Sequence, residues 1–488
     1  MDPQSNLLLQ TTGCSWLSPI SLFLGIPLDQ VNFIMCQMFG LAASFWFRLF
    51  LHPERVGPAV RHAIASVLGS SFVIFCFGWY SLHVFVLTLV SYVILHRAST
   101  HTVHWYSMLA AMGYLTVCQV SRVFIFNYGV PATDFSGPLM MMVQKITTLA
   151  FQLHDGKCRK QEELTAEQRR LAIVTRPSLL EYLSYTLNFM SILVGPCSNY
   201  SDYTEFIEGH HAHNKLKHNL QHNGYSAHAE PSPVRAVCQK LMVCVGCLFW
   251  FFIITRRFPI SYNVDPQFVN EAPILSRLAY AFVSIQAARP KFYFAWTFAD
   301  AVHNAAGYGI SGLDQNGRVS WDLVSNIHIW EIETATSFKS FIDNWNIQTG
   351  AWLKGVCYNR VPYFQTPLTF VLSALWHGVY PGYYFSFLTG IPITLTARAV
   401  RRNFRHYFLH SRSVKLLYDV ITWTATQFAI CYTVMPFLVL AVEPTLIYYR
   451  SMYFHVHIIS ILAMLVLPSR PRRPDLHAQH SNNNVKGK

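Results

Sequence analysis

Long apolar runs, separated by short polar stretches, dominate the chain. Residues 31–47 form the first, with Arg48 just past its end. Residues 62–96 follow, 35 positions without an Asp, Glu, Lys or Arg. One crossing of the hydrocarbon takes roughly 20 residues, so this run predicts two segments that break near Gly78. Residues 104–120 and 135–153 come next, the latter interrupted by Gln144 and Lys145, and then 179–194, closed by Gly195-Pro196. Further runs cover 237–255, 273–287 and 292–309. Residues 361–397 contain no Asp, Glu, Lys or Arg, and 420–440 and 446–467 complete the series. The pattern predicts an all-α, polytopic integral membrane protein with about 11 membrane segments, re-entrant helices included.

The polar stretches set the organisation. Residues 154–176 carry six basic and four acidic residues, and LTAEQRRLAI, with Thr165 near its start, predicts a short surface helix there. Residues 198–233 are the most hydrophilic, with His210, His211, His213, His218, His222 and His228. Their irregular spacing, without thiolate neighbours, reads as a solvated loop before a metal cluster. A glycosylation sequon at Asn199 lies close to a span end. Residues 313–360 scatter Trp321, Trp330, Trp345 and Trp352 among charges, the pattern of interfacial or re-entrant helix. The basic loop 398–415 and the basic tail 468–488 belong on the cytosolic side by the positive-inside rule. Residues 1–30 read as a cytosolic or interfacial segment without a signal-peptide pattern, and 31–467 as one membrane domain. No internal repeat is visible, so the inverted-repeat signature of many transporters is missing.

Composition sharpens this picture. Charged residues make up 12% of the 488, against about 25% in soluble proteins, and aromatic residues 15%. A water-soluble enzyme and a disordered chain are both excluded. The net charge of +13 fits cytosolic basic loops and a polyanionic ligand. The cations sit between apolar runs instead of in one patch, which argues against nucleic acid. Of the eleven cysteines, Cys36, Cys76, Cys118, Cys244, Cys247 and Cys431 lie inside apolar runs and read as small hydrophobes of an embedded core.

Candidate chemistry centres on His377, in ALWHGVYPGYY. It is the one His or carboxylate within 361–397. An ionisable group at bilayer depth is functional by default, and burial favours the neutral imidazole, which can accept a proton. A structural His bonded to a neighbouring helix is the alternative. Gly378, Pro381 and Gly382 predict a helix break beside it, and irregular backbone at depth is tolerated only against protein or a water-filled cavity. Asn346, in DNWNIQTGAWLKG, would share a helical face with Thr349, Gly350 and Leu353. Its amide could donate to an oxyanion or lie on plain surface. Asp300, His303 and Asn304 share another helical face, which either packs helices or lines a chamber. No G-x-S-x-G, H-E-x-x-H or P-loop pattern occurs.

NWNIQTGAWLK and LSALWHGVYPGYYFSFLTG resemble the paired motifs of the membrane-bound O-acyltransferase (MBOAT) family, whose active-site Asn and His match Asn346 and His377. FVIFCFGWYS, DFSGPLM, QKITTLAFQLHDG, PSLLEYLSYTLNFM and KFYFAWTFADAVHNAAGYG look like segments of its lysophosphatidylethanolamine/lysophosphatidylserine acyltransferases. The resemblance covers roughly 25–467, without the His-rich loop. It implies helices around a central catalytic tunnel in the endoplasmic reticulum membrane. It also implies transfer of an acyl chain, preferably unsaturated such as oleoyl, from acyl-CoA to the free hydroxyl of a lysophospholipid. His377 would be the general base, with Asn346 beside the thioester carbonyl. Substrate contacts are expected at Trp345, Thr349, Trp376, Asp300, His303 and Asn304, and Lys354 and Arg360 are the candidates for the CoA phosphates. No metal and no cofactor beyond the co-substrate acyl-CoA is expected. The expected partners are acyl-CoA, lysophospholipid and the bilayer; oligomeric state stays open. The rival readings are a transporter or channel without chemistry, and a family enzyme with a sterol, diacylglycerol or protein acceptor.

Overall fold

The charge-free run 62–96 gives the longest element of the computed structural model, which describes residues 8–125, 135–216 and 231–467. Helix α1 spans Leu28–Phe50, α2 Pro58–Phe77 and α3 Ser81–Arg97. A turn at Gly78–Tyr80 joins α2 to α3, with Gly78 at φ +52°. The break therefore falls at the expected glycine, with a 20-residue helix before it and a 17-residue helix after it. By length and composition the run Pro58–Arg97 counts as 40 helical residues, and each of its two halves is about as long as one crossing requires. The turn is filled from outside: a Cβ on Gly78 would lie 2.3 Å from the Thr12 carbonyl oxygen.

Helices α4 (Val103–Ile125) and α5 (Ser136–Cys158) pack closely on each other. In α5, Gln144 and Lys145 are fully buried, and the Lys145 ammonium donates to the carbonyls of Tyr185 and Thr186 and to Ser191 Oγ. Those carbonyls close α6 (Leu179–Leu187), so the lysine satisfies groups that a helix end leaves open. The run 179–194, read as a membrane span, yields only this nine-residue helix. Asn188 stops it: its carboxamide donates to Tyr185 O and accepts from the backbone and hydroxyl of Ser191. The apolar side chains of 187–194 then pack into the protein core instead of facing lipid.

The expected short helix forms at Ala166–Leu171, with a capping box between Thr165 and Gln168. Part of the histidine-rich stretch is helical. Helix α7 covers Tyr200–Glu208, and His211 is buried. His218, His222 and His228 lie outside the described residues, as does the tail 468–488. All eleven cysteines are free thiols.

The second half begins with α8 (Val234–Trp250), which packs along α10 (Pro290–Ala305); α9 (Ile274–Ala288) leads into α10. A short hairpin pairs Gly312–Leu313 with Val319–Ser320. After a five-residue helix at Ile329–Glu333 come two short helices, α11 (Phe338–Asn344) and α12 (Ile347–Leu353). Helix α13 (Gln365–His377) and α14 (Pro381–Phe404) meet at the predicted break. Helix α15 (Arg412–Val439) and the bent pair α16 (Val442–Ser451) and α17 (His455–Val466), 70° apart, close the bundle. By length and composition alone, three helices of the described residues could cross a membrane, or four if the bent pair is one span.

Candidate active site

His377 ends α13 because Gly378 follows at φ 141° and ψ −167°, a conformation essentially confined to glycine. Helix α14 then restarts at Pro381 and is pressed against the end of α15. Gly382 N–H donates to Leu440 O at 2.7 Å, and a Cβ on Gly382 would sit 2.1 Å from Pro436 O. Around the imidazole stand Phe387, stacked at 5.1 Å between centroids, Phe437, edge-on at 5.1 Å, and Trp376 at 4.7 Å. No hydrogen bond to the ring occurs among the described residues, so its nitrogens are left for another molecule.

Asn346 is not inside a helix, as the sequence pattern led us to expect. It caps α12 in the left-handed region, at φ 52° and ψ 51°. The residue before it, Trp345, pairs with Ile327 through an isolated antiparallel bridge. Helix α5 holds α12 from the other side: Gln144 donates to Thr349 Oγ1 at 2.8 Å and Trp352 Nε1 donates to Thr147 Oγ1 at 2.8 Å.

One cavity of about 260 Å³ joins the two residues. Trp345, Asn346, Thr349, Ser373 and His377 all line it, and its other walls are mostly apolar, from α9, α11, α14 and α15. Phe292, Trp296 and Phe341 pack around the Trp345 indole. Such a chamber offers a proton acceptor and an amide to a bound molecule, with apolar surface for a hydrocarbon chain.

The other expected contact residues lie elsewhere. Asp300 and Asn304 are both engaged by the Lys240 ammonium, at 2.7 Å each, and His303 donates to Ala299 O. Ser325 Oγ donates to Asp300. This face therefore packs α10 against α8 and the 321–328 segment, away from the cavity lining. Trp376 is buried behind His377, with Nε1 on Met140 O at 3.0 Å. Arg360 forms a bidentate pair with buried Asp155, both contacts 2.6 Å, while Lys354 is exposed.

The sequence reading missed Arg289 in the cavity wall. It is 4% exposed, and its guanidinium is bonded to Glu333, Gln286 and Gln427. A lone arginine between two apolar runs, in QAARPKFY, was the available signal.

A profile of the membrane-bound O-acyltransferase family matches residues 120–439. Mouse "Membrane-bound glycerophospholipid O-acyltransferase 1" is 57% identical over 487 residues, covering 100% of this chain and 99% of that protein. Human "Membrane-bound glycerophospholipid O-acyltransferase 2" is 51% identical, covering 96% and 90%. Drosophila melanogaster "Lysophospholipid acyltransferase 6" is 37% identical, covering 97% and 65%. Residues 346 and 377 both fall inside the matched region and on one cavity: the chain belongs to the membrane-bound O-acyltransferase family.

Proposed function

We propose that this protein is an acyl-CoA-dependent lysophospholipid acyltransferase, a multi-pass protein of the endoplasmic reticulum membrane, that serves phospholipid remodelling. The observation that carries the reading is the shared cavity, with a carboxamide and an imidazole that has no hydrogen bond among the described residues on its wall. The relatives' names, glycerophospholipid and lysophospholipid acyltransferases, supply the acceptor class. Lysophosphatidylethanolamine and lysophosphatidylserine are the favoured acceptors, and oleoyl a favoured chain. About eleven segments remain the proposed count; helices such as α5 cross with their polar residues turned inward.

The neutral His377 takes the proton of the lysolipid hydroxyl as that oxygen attacks the thioester carbonyl. Asn346 donates to the carbonyl oxygen as its negative charge develops. Collapse expels CoA as thiolate, which the proton held on His377 neutralises, leaving phospholipid and free CoA. General-base help contributes about 10²–10⁴-fold; the apolar walls exclude water that would hydrolyse the thioester.

The CoA phosphates need cations. Arg360 is already matched by Asp155. A better-placed pocket lies on the other flank of α11, where Lys339, Arg398 and Arg401 meet Ser337, Ser340 and Asn344. Asp343, paired with Lys339, is its one acid. Arg398 and Arg401 lie eleven and fourteen residues along α14 from Phe387, the ring stacked on His377. That is about 17 and 21 Å of helix. Thirteen bonds join the CoA sulfur to its nearer phosphorus, about 15 Å if extended like a peptide.

Purified protein with oleoyl-CoA and a panel of lysophospholipids tests the proposal. Free CoA should appear only with a lysophospholipid present, together with the two-chain product. A transporter would move substrate without releasing CoA, and a sterol or diacylglycerol as the sole effective acceptor would overturn the assignment.

A further inference from the structure

We propose that Asn326 is a positioning residue that decides which end of the Asn346 carboxamide faces the reacting carbonyl. The inference rests on the reading of Asn346 as the oxyanion donor. Backbone pairing brings the two together: His328 N donates to Asn344 O at 3.1 Å, and Ile347 N donates to Asn326 O at 2.9 Å, on either side of the Ile327–Trp345 bridge.

The side chains then form a chain of obligatory roles. The backbone N–H of Gln348 donates to the Asn326 side chain at 3.0 Å. A backbone N–H can only donate, so the atom it meets must be Oδ1. The Asn326 amino group consequently turns the other way, where it meets the Asn346 side chain at 3.1 Å. That group also can only donate, so Asn346 presents Oδ1 to it. The Asn346 amino group is left without a protein partner among the described residues, on a side chain that lines the cavity. It is the end that can stabilise negative charge on oxygen.

Without this contact no hydrogen bond among the described residues sets the choice. The terminal torsion of asparagine is broad and roughly two-fold, so the carboxamide could turn over and aim its oxygen at the developing oxyanion. Asn326 also caps α12 from outside, because its two oxygens accept the first two N–H groups of that helix. Its neighbour Ser325 is anchored on Asp300, which Lys240 neutralises. The polar face of α10 thus reaches the reaction through this segment.

The test is Asn326→Asp, the same size and shape. The carboxylate still accepts from Gln348, but its second oxygen now faces Asn346 as an acceptor. Asn346 must turn its amino group towards position 326 and its oxygen towards the cavity. Loss of one oxyanion donor costs about 10²–10³-fold in kcat, and KM for both substrates should stay near wild type. Acid reverses the defect: once protonated, the introduced carboxyl donates an O–H where the amide did. The ratio of variant to wild-type kcat should therefore climb at least about tenfold as pH falls from about 8 to about 5, through the carboxyl range. Asp322 and His328 on the same segment, Asp343 near the end of α11, and Asp300 with Lys240 behind Ser325 are present in both proteins and cancel in that ratio. Thermal midpoint and monodispersity in detergent report folding separately. In an Asn346→Ala background, Asn326→Asp should cost nothing more. Wild-type turnover of Asn326→Asp would overturn the proposal, as would a loss independent of pH or an undiminished loss in the Asn346→Ala background. Full activity of Asn346→Ala alone would overturn the underlying reading before position 326 is touched.

Discussion

Gly378→Ala separates a role for the helix break from a role for residue identity at the site. Position 378 sits at φ 141° and ψ −167°, directly after His377. A side chain there costs of order 1–3 kcal/mol of backbone strain. The added Cβ would also lie 3.2 Å from the Tyr383 ring, which stands 5.7 Å from the His377 imidazole. The chain relieves the strain by rotating the 377–381 connection, which swings the base out of line. At about 1.4 kcal/mol per factor of ten, the native arrangement becomes roughly 5- to 150-fold less favoured, and kcat should fall by about that range. Purified variant and wild type are compared by free-CoA release and by thermal unfolding in the same detergent. Gly113→Ala is the control: it lies inside α4, a Cβ there meets nothing within 4 Å, and it should be neutral or stabilising by up to about 1 kcal/mol. Wild-type turnover and an unchanged midpoint for Gly378→Ala would refute the argument that this backbone geometry aims the base.

Three further outcomes follow from other parts of the molecule. The double variant Arg398→Ala/Arg401→Ala should raise KM for acyl-CoA several-fold at low salt, with the difference shrinking as salt is added, while kcat stays close to wild type. Asp155→Ala leaves the half-buried Arg360 guanidinium without its bidentate partner and should cost about 1–3 kcal/mol, read as a lowered thermal midpoint. Val434→Trp narrows the apolar end of the cavity, so turnover with long acyl chains should drop more than with short ones when a donor series is assayed.

Much of the site could be read from residue spelling, and the reason is local. The Gly378–Gly382 break is encoded by residues that sit in the break itself, and the deepest charge-free run singled out His377. Asn346 was also legible, although its place as a helix cap was not: the helical spacing of Thr349, Gly350 and Leu353 holds, but a left-handed Asn begins it. What stayed hidden depends on partners far away in sequence. Arg360 looked like a free cation until Asp155, 205 residues earlier, closed on it. Asn326 carries no motif of its own, and only the bridge brings it beside Asn346. Residues 179–194 had the hydropathy of a span, yet Asn188 ends the helix after nine residues and the rest packs into the core. Hydropathy measures preference for an apolar surrounding and does not distinguish lipid from protein interior.

The most direct measurement is the turnover of His377→Ala, purified and shown by thermal unfolding to keep its fold, with oleoyl-CoA and a lysophospholipid. Loss of general-base help predicts a fall in kcat of at least about 10²-fold, with both substrates still binding. Turnover within a few-fold of wild type would contradict the account, because no other group on that wall, among the described residues, is placed to take the proton.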